Sequence, residues 1–277
     1  MNTNTDKLNI GLLVRASFSK FNPVRRNVNM KNEYAATHNS DVEMHSASTR
    51  MVHKRFVDPI QKIETETRQV IDKYTLPWED RGNRLLPAEL VPQLQEALVP
   101  LKKQWATAVE EFVVEWDKIV DDARIRLNGD FRPELYPSAE VVNDKFNFNV
   151  VFMPMPDNSR LVDSIRGEME EIFDRRMDEA ARDLRERFIA KLNHLSEKCK
   201  ALADGEKTRF YESNLTHVLE LCDMIPDMLV RDDDELLEAV GEARELLAGI
   251  DSGVLRDSAT TADDISKRAR DLASSLL

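Results

Sequence analysis

One short polar stretch holds four side chains of the types that bind zinc or iron: His38, Asp41, Glu43 and His45. Their spacing matches no established pattern of metal ligands. Polar loops also contain such residues routinely, without binding a metal. We therefore expect a loop here and no metal site.

The two cysteines are also spaced in a way that does not suit a metal. Each lies five residues after a histidine, at His194–Cys199 and His217–Cys222. On a helix this spacing places the two side chains about 140° apart, so neither pair can chelate an ion alone. We interpret both cysteines as small core residues. Two cysteines cannot supply the disulfide framework of a secreted domain, which indicates a reducing compartment.

Motifs of several enzyme classes are missing from the sequence. It contains no GxxxxGK[ST], GxGxxG, HExxH, GxSxG, CxxC or DxSxS pattern. Glu79, Asp80, Arg81 and Arg84 surround Gly82 and have the types that acid–base catalysis uses. Local ion pairs in a turn are the simpler interpretation of that group. We predict a non-enzymatic chain with no catalytic residue, no cofactor and no metal.

The segment LPWEDRGNRLLP, residues 76–87, is a candidate contact site. Its Trp78 is either a plug in the core of the protein or an anchor for another chain, and aromatic anchors dominate interface energies. Leu85 and Leu86 add an apolar pair that a tight turn can only half bury. We predict a homo-oligomer whose interface lies at or beside Trp78, Arg84, Leu85 and Leu86.

The charge of the chain is divided unevenly. Residues 1–55 hold nine Lys and Arg against four Asp and Glu, whereas the remaining residues hold 30 against 47. Such an acidic body repels nucleic acid, so we expect the basic N-terminal arm to dock on the acidic body of its own chain or of a neighbouring copy. The alternative is single-strand binding, in which cations alternate with stacking aromatics. The residues available for it are Lys20, Arg25, Arg26 and Lys31, among Phe18, Phe21 and Tyr34.

Composition favours long helices. Of the 277 residues 42% are hydrophobic and 32% are charged, with only 8 Gly and 11 Pro. The sequence contains no run of 18 apolar residues and no secretory h-region near its start. We therefore expect no membrane contact and a cytoplasmic location.

Hydrophobic periodicity places the elements. Alternation predicts strands over 8–19 and 146–152, and we expect residues 10–18 to pair with 146–153. Spacings of three and four residues predict several helices, with kinks or breaks at Pro59 and Pro100 and with Pro226 ending one of them. These helices cover 48–74, 88–128, 160–203, 206–225, 234–248 and 260–276. The acidic triplet at 232–234 suits a helix cap.

The predicted fold is mainly α. A helix over 160–203 would be about 65 Å long and needs a partner of similar length. We expect an antiparallel, coiled-coil-like hairpin with 88–128, a small β element at its tip over 129–159, and a short C-terminal helical bundle. The facing residues would be Leu101, Trp105, Phe112 and Trp116 against Ile172, Leu184 and Phe188. The predicted domains are 1–47 for the strand and arm, 48–205 for the helical body and 206–277 for the C-terminal helices.

Two blocks resemble a family of phage-encoded proteins of unknown function. The first is LPWEDRGNRLLP, which matches an LPW-[DE]-x-x-G-x-RLLP pattern. The second, over 131–157, has Tyr136-Pro137 before an F-x-F strand at Phe146 and Phe148 that ends in P-x-P at 154–156. The resemblance covers residues 8–230 loosely. It implies no catalytic residue, because the family has none established.

Members of that family are often encoded beside a MoxR/CobS-like AAA ATPase and a von Willebrand A-type protein. The resemblance therefore implies a partner of such a machine in the host cell cytoplasm. We predict a non-enzymatic phage protein that acts as an oligomeric scaffold or adaptor. The alternatives are a nucleic-acid-binding accessory factor and a virion structural component.

Overall fold

The computed structural model describes residues 11–79, 82–155, 163–206 and 208–277. The chain is mostly helical with a small amount of strand, which confirms the mainly α fold class. The α-helices are α1 Val28–Thr37, α2 Lys54–Tyr74, α3 Val91–Val114, α4 Trp116–Leu127, α5 Ala139–Asn143, α6 Asp163–Ala203, α7 Ser213–Met228, α8 Asp234–Leu247, α9 Ser252–Asp257 and α10 Ala259–Ser275. The strands are β1 Gly11–Ser19, β2 Val24–Arg26, β3 Ser48–Arg50, β4 Leu76–Pro77, β5 Arg84–Pro87 and β6 Asn147–Pro154.

Strands form two sheets. The larger has the order β4-β5-β1-β6, and the smaller pairs β2 with β3. Since β1 and β6 are neighbours, the predicted pairing of the two alternating segments is confirmed for the described residues. The strands β4 and β5 were not predicted, because they are short and lie in a segment rich in turn residues. In β1, Leu12, Leu13 and Val14 lie opposite Leu86, Leu85 and Arg84.

Contacts within the chain divide it into two compact units. Unit 1 takes the described residues of Met1–Arg15, Tyr74–Gln93 and Phe152–Leu277. Unit 2 takes Ala16–Lys73 and Leu94–Val151. The three-part division at 47 and 205 stays a prediction.

Unit 2 is built around aromatic residues. The apolar stripe of α3 and α4 supplies Trp105, Phe112 and Trp116 to a buried core, and α2 supplies Ile60 and Ile63. Trp116 also satisfies its indole N–H, which donates to the carbonyl oxygen of Pro137 at 2.8 Å. A buried indole needs such a partner, so the loop after α4 helps to complete this core.

Unit 1 is built around the long helix α6. The helix α10 packs antiparallel to α6, as two contacts show. Ser196 of α6 bonds Ser266 of α10. One turn later in α6, Lys200 pairs with Asp263, which comes earlier in α10 than Ser266. Both serines are buried and exchange hydrogen bonds of 2.7 and 2.8 Å with each other's backbone oxygens. The small buried residues Ala262 and Ala269 of α10 allow close packing on α6.

The predicted long hairpin is therefore not confirmed. The helices over 88–128 and 160–203 belong almost entirely to different units, and each stripe has partners in its own unit. An apolar stripe specifies that a helix needs a partner, but it does not specify which one. Leu101, Trp105, Phe112 and Trp116 share unit 2, whereas Ile172, Leu184 and Phe188 share unit 1.

Prolines do not end helices where the sequence suggested. Pro59, Pro100 and Pro226 lie inside α2, α3 and α7. The break within 88–128 falls instead at Glu115, between α3 and α4. Each proline removes one helical N–H donor and its ring crowds the carbonyl group four residues before it, but buried residues on both sides of it keep the helix continuous.

Candidate interaction surface

A hairpin of the chain, residues 23–51, carries three of the four cations proposed for nucleic acid: Arg25, Arg26 and Lys31. We call it the arm hairpin. Strands β2 and β3 pair antiparallel, with Arg25 opposite Thr49. At the base, the Met51 amide donates to the Pro23 carbonyl oxygen at 2.6 Å, and the Asn27 amide donates to the Ala47 carbonyl oxygen at 2.9 Å. Two strands and their closing bonds thus hold the loop that contains α1.

The helix α1 is stabilised more by the hydrogen bonds at its N-terminus than by burial of its side chains. Asn27 caps it, because its side-chain oxygen accepts from the Met30 amide at 2.9 Å. The Asn27 side-chain nitrogen also donates to the Thr49 hydroxyl at 2.8 Å, which ties the cap to β3. Within α1 only Lys31 and Ala35 are buried. The helix therefore stabilises the loop without adding much to the core of unit 2.

Large apolar side chains are exposed on the arm hairpin. Met44 is 81% exposed, and four others within residues 28–44 are also exposed: Val28, Met30, Tyr34 and Val42. Single exposed apolar residues are ordinary, whereas a concentration of them marks an interaction surface. This segment is the densest such group in the described part of the chain.

The polar cluster considered for metal binding lies in the same loop. Its two histidines contact the ring of Tyr34, with centroid distances of 4.4 Å for His38 and 5.0 Å for His45. The Ser40 hydroxyl lies 2.7 Å from His45 Nε2, and Asp41 accepts from the Glu43 amide at 2.8 Å. Over the residues that the structure describes, no group of three or more His, Cys, Asp or Glu side chains is arranged to hold a metal ion.

The four cations proposed for nucleic acid do not act together. Lys20 forms an ion pair with Glu64 at 2.6 Å. Burial raises the pKa of Glu64, but hydrogen bonds from Lys20 and Arg68 outweigh it and hold the pKa below its usual value. Lys31 is buried. Arg25 and Arg26 remain exposed, and neither makes an ion pair within the described ranges.

The aromatics of the arm are not free to stack on bases. Phe18 is half-buried and stacks on Phe148 with a centroid distance of 4.8 Å. Phe21 is buried and meets Trp116 edge-on. Of the three arm aromatics only Tyr34 is exposed, and two histidine rings flank it.

The LPWEDRGNRLLP segment is a core element of unit 1. Trp78 is 7% exposed and meets Phe173 edge-on at 5.5 Å, while Leu85 and Leu86 are fully buried in β5. Arg84 of β5 donates to the hydroxyl of Thr75, the residue just before the segment, at 2.7 Å. The positions of Asp80 and Arg81 lie outside the described residues. Of the two roles considered for Trp78, its burial favours the plug over the anchor.

A second charged surface lies on α8. Asp233 caps this helix by accepting from the Leu236 amide, as the acidic triplet predicted. Asp233 and Glu235 also pair with Arg185 of α6. Burial raises the pKa of Asp233, but Arg185 and the Leu236 amide outweigh it and lower the pKa below its usual value.

Four further carboxylates of α8 share one exposed stripe, which we call the acidic face. No ion pair of theirs occurs among the residues that the structure describes, and Leu237, itself 37% exposed, lies beside them. They are Asp234, Glu238, Glu242 and Glu245. This surface is not among the sites predicted from the sequence, although the many acidic residues between 232 and 245 could have indicated it.

Both cysteines are buried, as predicted. Burial raises the pKa of the Cys199 thiol to about 12 and, as the largest of several influences, that of the Cys222 thiol to about 11. A thiol acts as a nucleophile through its thiolate, so neither cysteine is a reactive group at neutral pH.

Comparison with family models, curated proteins and solved structures finds no match to this chain. In the described part of the chain, no helix has both the length and the apolar character that crossing a bilayer requires.

Proposed function

We propose that this chain is a non-enzymatic scaffold or adaptor that acts through protein–protein contacts, and that its copies associate with one another. The arm hairpin supports the proposal, because the same segment exposes Met44, four other large apolar side chains, Arg25 and Arg26. Exposure of apolar groups to water is unfavourable, so a partner that covers them lowers the free energy.

The proposed setting is a phage protein acting in the host cell cytoplasm. The resemblance of residues 76–87 and 131–157 to the phage-encoded family supports this part. The same resemblance supports a MoxR/CobS-like AAA ATPase or a von Willebrand A-type protein as a further partner. Copurification of the separately expressed proteins tests that partnership directly.

Light scattering on the full chain at tens of micromolar tests self-association. We expect the wild type to show a multiple of the mass of one chain, and Met30→Ser with Met44→Ser to lower that mass. Val99→Ser with Val114→Ser is the matched control, because these exposed valines lie on α3. A wild type with the mass of one chain would contradict the proposed self-association.

Nucleic-acid binding is the second candidate, and the exposed Arg25 and Arg26 favour it. The packing of Phe18, which is half-buried, and of Phe21, which is buried, in the core of unit 2 weighs against it. Fluorescence anisotropy with single- and double-stranded DNA separates the two, and we expect weak or no binding at physiological salt. Tight binding that falls with salt and is lost in Arg25→Glu with Arg26→Glu would favour this candidate. Abundance in purified particles would indicate instead a virion component.

A further inference from the structure

We propose that the arm hairpin of one copy docks on the acidic face of α8 of a second copy. This inference rests on the proposed self-association and names the two surfaces that make it. The contact is heterologous, because a basic surface of each copy meets an acidic surface of the next.

The basic side of the contact is the ribbon of β2 and β3. Val24 lies opposite Arg50, so Arg26, two residues further along β2, shares a face of the ribbon with Arg50. Such diagonal neighbours are about 7–8 Å apart. Arg25 points to the other face. All three arginines are exposed, and none of them makes an ion pair within the described chain.

The acidic side repeats on a comparable spacing. Glu238, Glu242 and Glu245 follow one another at helical intervals of four and three residues, which places neighbouring Cβ atoms about 5–6 Å apart. The spacing of the glutamates on α8 is slightly shorter than that of the arginines on the ribbon, and long arginine side chains can span the difference. Arg26 and Arg50 can therefore each reach a different carboxylate.

Apolar contact accompanies the ion pairs. Leu237 lies beside the acidic face, and Met30 and Met44 lie in the loop that β2 and β3 support. Methionine adapts its shape to an apolar neighbour more readily than other side chains do. Both surfaces are exposed in the single chain, so each is available to another molecule. A second copy fits because it carries the complementary charge itself.

Charge exchange between two variants tests the docking. Arg26→Glu with Arg50→Glu makes the proposed docking face of the ribbon acidic, and Glu238→Arg with Glu242→Arg makes α8 basic. Each variant alone opposes like charges, so we expect association at least about tenfold weaker than wild type by sedimentation velocity. An equimolar mixture pairs opposite charges at every contact, and we expect it to restore assemblies that alternate the two variants.

Two controls carry the same change of charge elsewhere. Lys102→Glu with Lys103→Glu, and Glu110→Arg with Glu111→Arg, alter exposed residues of α3 and should leave association unchanged. Arg26→Gln with Arg50→Gln removes the two positive charges without creating like-charge repulsion and should also weaken association. This neutral variant replaces the reversal variant if the latter loses its helical circular dichroism. A wild type that assembles while the mixture fails to recover would overturn the docking alone. A monomeric wild type would overturn the proposed self-association as well.

Discussion

At the scale of single residues, some positions tolerate very few substitutions. Gly11 begins β1 directly against β5, and a Cβ atom there would overlap the Leu86 carbonyl oxygen. The obstacle is backbone, so no change of rotamer relieves it. Trp78 and Leu85 also tolerate few substitutions, because both are buried and a polar side chain in their place would lose its contact with water.

We expect Gly11→Ala to lower the free energy of unfolding by more than about 1 kcal/mol, because β1 and β5 must move apart to admit the methyl group. Urea denaturation measures the change. Gly129→Ala is the control, since a Cβ there meets nothing within 4 Å. Its effect should stay within about 0.5 kcal/mol. Equal stability of the two variants would show that β1 does not approach β5 so closely.

Asp233 combines a helix cap with an ion pair, and two substitutions separate the roles. Asn caps as well as Asp does, so Asp233→Asn should lose mainly the pairing with Arg185, whereas Asp233→Ala should also lose about 1 kcal/mol of capping. The folded pKa of Asp233 is lowered, so its ionic contribution is complete above the ordinary value of 3.8 and disappears as the pH falls through the folded pKa.

Urea denaturation of the wild type and of Asp233→Asn across the acid range measures that contribution. The difference in stability should shrink below the ordinary pKa of the group. A difference that stays constant down to the lowest pH would contradict the ionic role of Asp233.

At the scale of elements, small residues decide which helices become neighbours. The face that α10 buries contains Ala262, Ser266, Ala269 and Ala273, and such residues let two helix backbones approach closely. The reciprocal bonds between Ser196 and Ser266 then fix the register, because buried hydroxyl groups must find partners. By contrast, the bulky Trp105, Phe112 and Trp116 of α3 and α4 suit a core with several contributing segments.

We expect Ala269→Leu to destabilise the chain by about 1–3 kcal/mol, because extra methylene groups overpack a tight helix contact. Ser274→Leu is the matched control on an exposed position of the same helix and should have little effect. Thermal unfolding followed by circular dichroism compares the two. If Ala269→Leu is as stable as the control, α10 does not pack closely on another helix.

At the scale of the whole molecule, the two surfaces of the proposed contact belong to different units. The exposed Arg25, Arg26 and Arg50 belong to unit 2, and the acidic face of α8 belongs to unit 1. A chain with a net charge of −12 repels its own copies overall, so association requires a local match of opposite charges. The proposed contact supplies one.

We expect assembly to weaken as ionic strength rises. The Debye length falls from about 10 Å at 0.1 M salt to about 3 Å at 1 M, which screens exposed arginine–carboxylate pairs. Light scattering over this range at fixed protein concentration measures the effect. Assembly that grows with salt would indicate that apolar burial through Met30 and Met44 outweighs the charges.

The sequence by itself determined the local elements. Alternation identified β1 and β6 and their pairing, periodicity identified most of the helices, and the acidic triplet identified the cap at Asp233. These properties depend on residues close together along the chain, where the geometry of helix and strand is fixed. Periodicity also predicted the burial of Trp105 and Trp116, because an apolar stripe must be covered whatever covers it.

Only the tertiary structure decided which surfaces cover one another. It paired α6 with α10, placed Trp78 and Leu85 inside unit 1, used Lys20 in an ion pair with Glu64, and left the arm hairpin exposed. The physical reason is that hydrophobic burial has no direction. A stripe of apolar residues accepts any partner of suitable shape, so close packing and buried hydrogen bonds between distant segments select the one that forms.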